Sequence, residues 1–449
     1  MAFDGPLAEA EIHACVAALR TATAGLEQLS PRALSVLARA AACFVRDAKR
    51  LRRRRARGPT RMAVAASGGD ERPVPGVAGS AAPQRAQGSG PTRGKVDRRN
   101  QTADLSGRVA LVTGARVSSG YATTLKLVRA GAVVIGTTRF PRDAAARFAA
   151  EPDYRSWSRR LHLYGLDFRS PAWVEAFAGH IAASVARLDI LINNAAQTVR
   201  RPAPFYAPLV PAECMRGPEG TAPGARLLAA GREFVHQQTI GSAGAMSGPL
   251  PGALSAMLSQ VPVLPEDIAA LAAEAGIVAT DDGIRDLRAS NSWMLRLGEV
   301  ATAECLEVLL VNAAAPFVLA GRLRELMARD VLADKWIVNV AAVEGQFSRR
   351  QKDARHPHLN MAKAALNMLT RSAAADYARD RIYMNSVDVG WFSNGEPAAV
   401  ADAMRGRGFT LPLDEVDAAA RVCDPIFSGV RTGTNVHGKL LKDYCPVEW

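Results

Sequence analysis

From residue 105 onward the chain alternates between two periods. Continuous apolar runs occur at 108–113 (RVALVT), 132–138 (AVVIGTT), 161–167 (LHLYGLD) and 188–194 (LDILINN). Runs of this length, rich in β-branched residues, predict strands buried on both faces. Between them, apolar residues recur three and four apart, which predicts amphipathic helices at about 119–130, across 139–151 and at 171–186. In the last of these Trp173, Phe177 and Ile181 share one side. After a long interruption the alternation resumes with helix 300–329, strand 335–341, helix 361–379, strand 381–388, helix 414–429 and a closing strand at 438–444. Strands alternating with helices predict an α/β fold, a Rossmann-type doubly wound parallel sheet of seven strands.

Three stretches fall outside this pattern. Residues 7–24 and 30–44 carry helical spacing around Ser30-Pro31, a cap followed by proline, and read as a helical hairpin ending in the basic arm RDAKRLRRRRARG at 46–58. Residues 59–104 are rich in Gly, Pro, Ala, Ser and Arg and read as a disordered linker. The third stretch, 197–298, interrupts the 105–449 domain directly after the fourth strand. A long irregular loop leaving the carboxyl end of a strand reads as a lid or substrate-side subdomain.

Charge changes this picture little. The net formal charge is +13, but residues 1–100 hold 18 Lys and Arg against 8 Asp and Glu, so +10 of it belongs to this N-terminal segment and +3 to the rest. The arginine run has no interleaved aromatics on which bases could stack. It is read as a solvated helix end, with a nucleic-acid tether as the minor alternative. Six scattered cysteines, with no CxxC and no histidine spaced to complete a zinc site, read as reduced thiols and no metal centre. The most apolar run, 305–321, is broken by Glu307, Asn312 and Pro316, so no membrane span is expected. Asp4, Glu9 and Glu11 argue against a transit peptide, and the expected location is cytoplasmic.

The chemistry concentrates at 108–121, RVALVTGARVSSGY. Strand, glycine turn and helix start in that order bring backbone N–H groups and a positive helix end to a pyrophosphate. With the motifs downstream of this turn included, the chain resembles the short-chain dehydrogenase/reductase family over 105–449. Thr113, Gly114 and Gly120 match its TGxxxGxG loop. Asp167 matches its adenine-contacting acid and Asn193-Asn194-Ala195-Ala196 its NNAG. Asn312 matches the helix asparagine, 336–342 (WIVNVAA) the strand before the catalytic serine, and Lys363 the lysine of YxxxK.

That resemblance implies an NAD(P)-dependent oxidoreductase moving hydride between NADP(H) and a small carbonyl or alcohol substrate. It places Thr113, Gly114, Ser118 and Gly120 on the pyrophosphate, Asp167 on adenine, Asn194 on the ribose side, Lys363 on the nicotinamide ribose as well as in catalysis, and Asn312 near the reacting centre, holding a water or shaping its helix. It also implies a homo-oligomer built through the helices at 300–329 and 361–379. No acid ends the second strand: Thr138 stands there and Arg139 follows, which favours a 2′-phosphate and hence NADP over NAD. Arg116 adds to this, with an exposed arginine serving solubility as the alternative for Arg139.

The departures fall on the chemistry. Leu359 stands where the tyrosine belongs, Ala342 where the serine belongs, and the loop between them is lengthened. His356 and His358 are the nearest substitute acids; Ser348, Asn360 and Tyr383 are weaker ones, and a water relayed through Lys363 needs none of them. Ser118 replaces the middle glycine of the loop, which is tolerable while its φ stays negative. Val389 replaces the usual proline before Gly390. These losses motivate the alternative of a catalytically inactive dinucleotide-binding sensor or scaffold.

Overall fold

The β-branched runs form strands whose side chains are covered on both faces. In the computed structural model the described residues are 98–214, 224–240, 255–257, 261, 279–280, 283–284, 286–349 and 352–449. The helical hairpin, the arginine run, most of the linker and much of the interrupting stretch lie outside them. In chain order the strands and longer helices begin with β1 (Val109–Thr113), α1 (Ser118–Arg129), β2 (Val133–Thr138), α2 (Pro141–Ala149), β3 (Leu161–Gly165), α3 (Pro171–Ser184) and β4 (Ile190–Asn193). The interrupting stretch contributes α4 (Ala229–Ile240) and a separate two-stranded hairpin, β5 (Ala279–Thr280) with β6 (Gly283–Ile284). Then come α5 (Thr302–Leu309), α6 (Ala315–Ala328), β7 (Lys335–Ala341), α7 (Pro357–Tyr377), β8 (Ile382–Asp388), α8 (Ala398–Gly406), α9 (Glu415–Thr432), β9 (Leu440–Lys442) and β10 (Cys445–Val447).

The main sheet has eight strands in the order β10-β9-β8-β7-β4-β1-β2-β3, one more than the seven expected. All neighbours are parallel except β10, which returns antiparallel to β9. The turn between those two holds Asp443 and Tyr444 at φ 46° and 70°. Such two-residue turns are usually marked by Asn-Gly or Asp-Gly, so Asp-Tyr carries no readable signal. From β1 the chain winds outward to β2 and β3, then returns to β4 on the other side. Ligands of doubly wound sheets bind at that reversal, outside the carboxyl ends of the strands.

Two apolar layers cover the sheet. One face carries α1, α2 and α9, with Leu127, Phe148, Ile426 and Phe427 fully covered. The other carries α3, α6 and α7, with Phe177, Leu319 and Leu323 fully covered. Residues 98–104, within the stretch read as linker, are held against α9: Arg99 pairs with Asp414 and Asp417, and Gln101 bonds Ser428. Helix 302–328 is long and apolar enough by composition to cross a membrane, which the interruptions at Glu307, Asn312 and Pro316 had discounted. Here it is a core element, with Leu319 and Leu323 buried on the sheet and Val308 buried against α7.

A buried polar chain crosses the sheet beneath the site. Asn193 Nδ2 donates to Asn339 Oδ1 (2.7 Å), Asn339 Nδ2 to Thr370 Oγ1 (2.8 Å), and Thr370 bonds Ser386 (2.8 Å). Strand register places Asn193 opposite Asn339, and Asn339 opposite Ser386. Fully covered hydrogen bonds of this kind contribute about 1 kcal/mol each. They hold α7, the helix that carries Lys363 and Leu359, at a fixed height on the sheet.

Helix α4 lies beside edge strand β3. Its fully buried Phe234 packs among Tyr164, Trp173 and Phe177, with ring centroids 5.7 to 6.2 Å apart. The interrupting stretch therefore covers an edge that would otherwise expose unpaired backbone groups.

Candidate active site at the carboxyl ends of β1 and β4

Behind β1 the chain turns at Gly114 (φ 71°) and enters α1 at Ser118. A Cβ at Gly114 would lie 2.9 Å from the Ala195 backbone; one at Gly120 would overlap the Gly114 carbonyl and lie 2.5 Å from Asn194 Nδ2. Both glycines are required by close backbone approach. Val117, the residue before α1, caps nothing with its side chain, and no acid stands in the first turn. The first amides of α1 are thus presented with the positive end of the helix, as an anion needs. Ser118 sits at φ 59°, not in the negative region that would make serine tolerable. The geometry of the turn demands the glycine conformation, and serine adopts it under strain.

Thr113 and Asn194 brace this loop from behind. Thr113 Oγ1 accepts from the amides of Asn194 (2.9 Å) and Ala195 (2.8 Å). Asn194 Nδ2 donates to the Thr113 carbonyl (3.0 Å), and its Oδ1 accepts from Ser119 Oγ (2.8 Å). Sequence reasoning put both on the nucleotide; the side chains are buried supports that shape the loop.

At the end of β2 the structure adds partners that sequence reasoning missed. Arg139 Nη2 donates to Tyr206 Oη (2.7 Å), and its guanidinium lies 4.4 Å from the Tyr206 ring. Arg116 pairs with Asp143 (2.8 Å). Glu213, fully buried, accepts from the backbone amides of Arg142 (2.9 Å) and Asp143 (3.0 Å), the first turn of α2. Burial pushes the Glu213 carboxyl up to about 7, against those amides. Asp167 is bound bidentately by Arg169, whose other arm reaches Glu307 (3.3 Å). Burial alone would raise the Asp167 carboxyl, but the Arg169 guanidinium overrides it and holds it below the usual range.

At the α7 end Lys363 is buried, and its Nζ donates to the Val340 carbonyl (2.8 Å). Burial pushes its ammonium down to about 8, opposed by the charges of Glu344 and Asp388. Asn312 lies in a single π-helical turn, Leu310–Ala314, between α5 and α6. Its Nδ2 donates to Gln197 O (2.9 Å) and Val308 O (2.8 Å); its buried Oδ1 has no partner among the described residues. Leu359 packs with Val308, Ala362 and Trp293 in an apolar cluster.

The substitute acids separate. His356 stacks on Trp293 (4.2 Å) and bonds its carbonyl (3.0 Å). His358 is buried, with neither ring nitrogen partnered among the described residues, and burial lowers it to about 4, so it is neutral at pH 7. Ser348 bonds the Glu448 carbonyl, Asn360 the Arg355 carbonyl, and Tyr383 sits at the amino end of β8, away from the site.

A family model described as short chain dehydrogenase matches residues 108–209, and one described as Enoyl-(Acyl carrier protein) reductase matches 288–408. The chain belongs to the short-chain dehydrogenase/reductase family. The residues between the two matches, 210–287, fall within the interruption after β4. Dehydrogenase/reductase SDR family member 13 of Bos taurus is 43% identical over 94 residues, covering 21% of this chain and 24% of that protein. Uncharacterized protein R665 of Acanthamoeba polyphaga mimivirus is 29% identical over 340 residues, 73% of this chain and 65% of that protein. The chain therefore spans less than two thirds of either relative. Among solved structures, the Pseudomonas aeruginosa RhlG/NADP active-site complex aligns at 17% identity and TM-score 0.46, covering 76% of this chain and 96% of that one.

In this family member, Tyr206, Glu213 and Trp293 all come from the stretch at 197–298, where no periodicity marked them. Tyr206 is 67 residues from its partner Arg139, and Glu213 is 71 from Arg142. One signal was present: Phe205-Tyr206 is an aromatic pair in a stretch whose other Phe, Trp and Tyr residues are Phe234 and Trp293 alone.

Proposed function

We propose that the chain is an oxidoreductase that moves hydride between NADP(H) and a small carbonyl or alcohol. The observation carrying this reading is the uncapped, acid-free start of α1 behind Gly114 and Gly120, a turn so tight that any Cβ at Gly120 would collide with the Gly114 carbonyl and open it. Its residues fit a pyrophosphate. In this reading the amides of Ser118, Ser119 and Gly120 hold the pyrophosphate, and Arg139, beyond a strand end without an acid, favours the 2′-phosphate.

When bound, the nicotinamide supplies or takes the hydride. Lys363, at about 8, is predominantly protonated at neutral pH and passes a proton through water to the substrate oxygen as the carbon is reduced; oxidation returns it by the same route. In this reading Asn312 Oδ1, which has no partner among the described residues, accepts from that water. With leucine and alanine in place of the positioned hydroxyls, turnover is expected to be lower by about 10² to 10⁴.

The apolar packing of Leu359 favours a second reading, a dinucleotide-binding protein without turnover. Both readings expect NADPH binding in the wild type and its loss in Gly120→Ala. Only the first expects NADPH consumption across a panel of aldehydes and ketones, abolished in Lys363→Met. An absence of binding to either nicotinamide nucleotide at millimolar concentration refutes both.

A homo-oligomer belongs to the same proposal. Leu306 and Phe317 on one helical segment, and Met361 and Met368 one heptad apart on α7, are exposed at 47 to 66%. Apolar side chains in such register on the two helices suit a self-complementary contact.

A further inference from the structure

We propose that Tyr206 and Glu213 form a built-in substitute for a nucleotide's 2′-phosphate, so that the strap 199–214 must be lifted by a 2′-phosphorylated nucleotide but not by one with a free 2′-hydroxyl. This rests on the nucleotide site proposed above and adds what selects between its two cofactors.

The strap occupies Arg139, which sequence reasoning assigned to the phosphate, and the helix start beside it. Arg139 follows the last residue of β2, and its Nη2 is engaged by the Tyr206 hydroxyl (2.7 Å), with the ring against the guanidinium. Three residues further on, the first amides of α2 carry the Glu213 carboxylate at 2.9 and 3.0 Å. A helix start offers those amides to an anion, and here the chain supplies its own. Tyr206 also packs on Phe140 (5.4 Å), between the two anchor points, so the phenol and the carboxylate close over one continuous surface.

The electrostatics of that surface are those of an anion seat. Burial of this half-covered side chain would by itself raise the Tyr206 phenol. Arg139, Arg201 and Arg116 outweigh burial and hold it below the ordinary tyrosine value. The positive field that lowers the phenol attracts a phosphate dianion more strongly than a neutral hydroxyl, since the interaction grows with the charge. Glu213 is a weak occupant by comparison: burial pushes its carboxyl up to about 7, so part of the population carries no charge at neutral pH. A phosphate brings two charges and three acceptor oxygens to the same donors. It displaces the strap at the cost of the strap's own contacts, and removing those contacts tightens the phosphate and nothing else.

The experiment uses the full chain with adenosine 2′,5′-bisphosphate and adenosine 5′-monophosphate, which differ only in the 2′-phosphate. Binding is measured by calorimetry for wild type, Y206F, E213Q, Y206F/E213Q and G120A. The double variant is expected to bind the bisphosphate about tenfold more tightly, with the monophosphate changed less than about twofold. In the wild type the bisphosphate is expected to speed amide exchange over 203–214, and the monophosphate to leave it unchanged. Parallel changes for both ligands, an unchanged or weaker bisphosphate, or protection of 203–214 would overturn the strap while G120-dependent binding upholds the nucleotide site. Failure of both ligands to bind every form overturns the site and the strap together. The exchange measurement needs only the wild type, so a misfolded variant does not leave the question open.

Discussion

Replacing Lys363 by methionine removes a buried ammonium while keeping most of its side-chain volume. The fold holds that ammonium at about 8 against an ordinary value of 10.5. At about 1.4 kcal/mol per pH unit, the difference corresponds to roughly 3 kcal/mol of destabilisation when the lysine is charged in the folded state. Below pH 8 both the folded and unfolded chains are protonated and this penalty is complete. Between 8 and 10.5 the folded protein has released the proton and the unfolded chain still holds it, so stability rises with pH; above 10.5 the penalty is gone. Methionine also leaves the Val340 carbonyl without its 2.8 Å donor, which costs about 1 to 3 kcal/mol at every pH.

Lys363→Met is therefore expected to change stability at pH 7 by no more than about 2 kcal/mol, in either direction, and to lose ground to wild type by about 3 kcal/mol on moving to pH 10.5. Urea unfolding of both proteins at pH 7, 8.5 and 10 measures this, since other groups titrate alike and cancel in the difference. A difference that stays constant across that range would refute the reasoning, because it would mean that the folded protein does not hold Lys363 below its ordinary value.

Single positions carry further expectations. Ser118→Gly relieves a left-handed serine and is expected to stabilise the protein by about 0.5 to 1 kcal/mol, read as a higher melting temperature; a lower one would show that the turn is unstrained. Glu213 is raised from 4.5 to about 7 in the folded chain, so between those values the folded state keeps a proton that the unfolded one has lost, and stability falls as pH rises. Glu213→Gln is expected to gain up to about 3 kcal/mol on wild type between pH 4.5 and 8 by chemical denaturation, and a pH-independent difference would contradict that. Phe317, 66% exposed, is expected to lie in the self-association surface, so Phe317→Asp converts an oligomer to monomer in light scattering; an unchanged mass would place the contact elsewhere.

The candidate site was legible in the sequence wherever its residues are neighbours along the chain. TGARVSSG names its own turn, and Lys363 is placed one helical turn after Leu359 by spacing alone. The rebuilt loop was harder. Helix α7 begins at Pro357, four residues before the expected start, and His356 at φ 43° ends the loop. A histidine at positive φ is uncommon, and periodicity gives no warning of it.

Periodic apolar spacing determined the order of strands and helices, because burying one face is a local demand that each segment states for itself. It also determined the glycine turn, since only a chain without Cβ atoms lets Gly120 approach Gly114. The tertiary structure alone decided that Thr113 and Asn194 face inward as braces, that Asn312 keeps an oxygen unpartnered among the described residues, and that Arg139 is met by Tyr206. Those outcomes depend on which distant segments meet. A hydrogen bond between residues 67 apart leaves no period in the sequence, because neither partner's neighbours need to change for the bond to form.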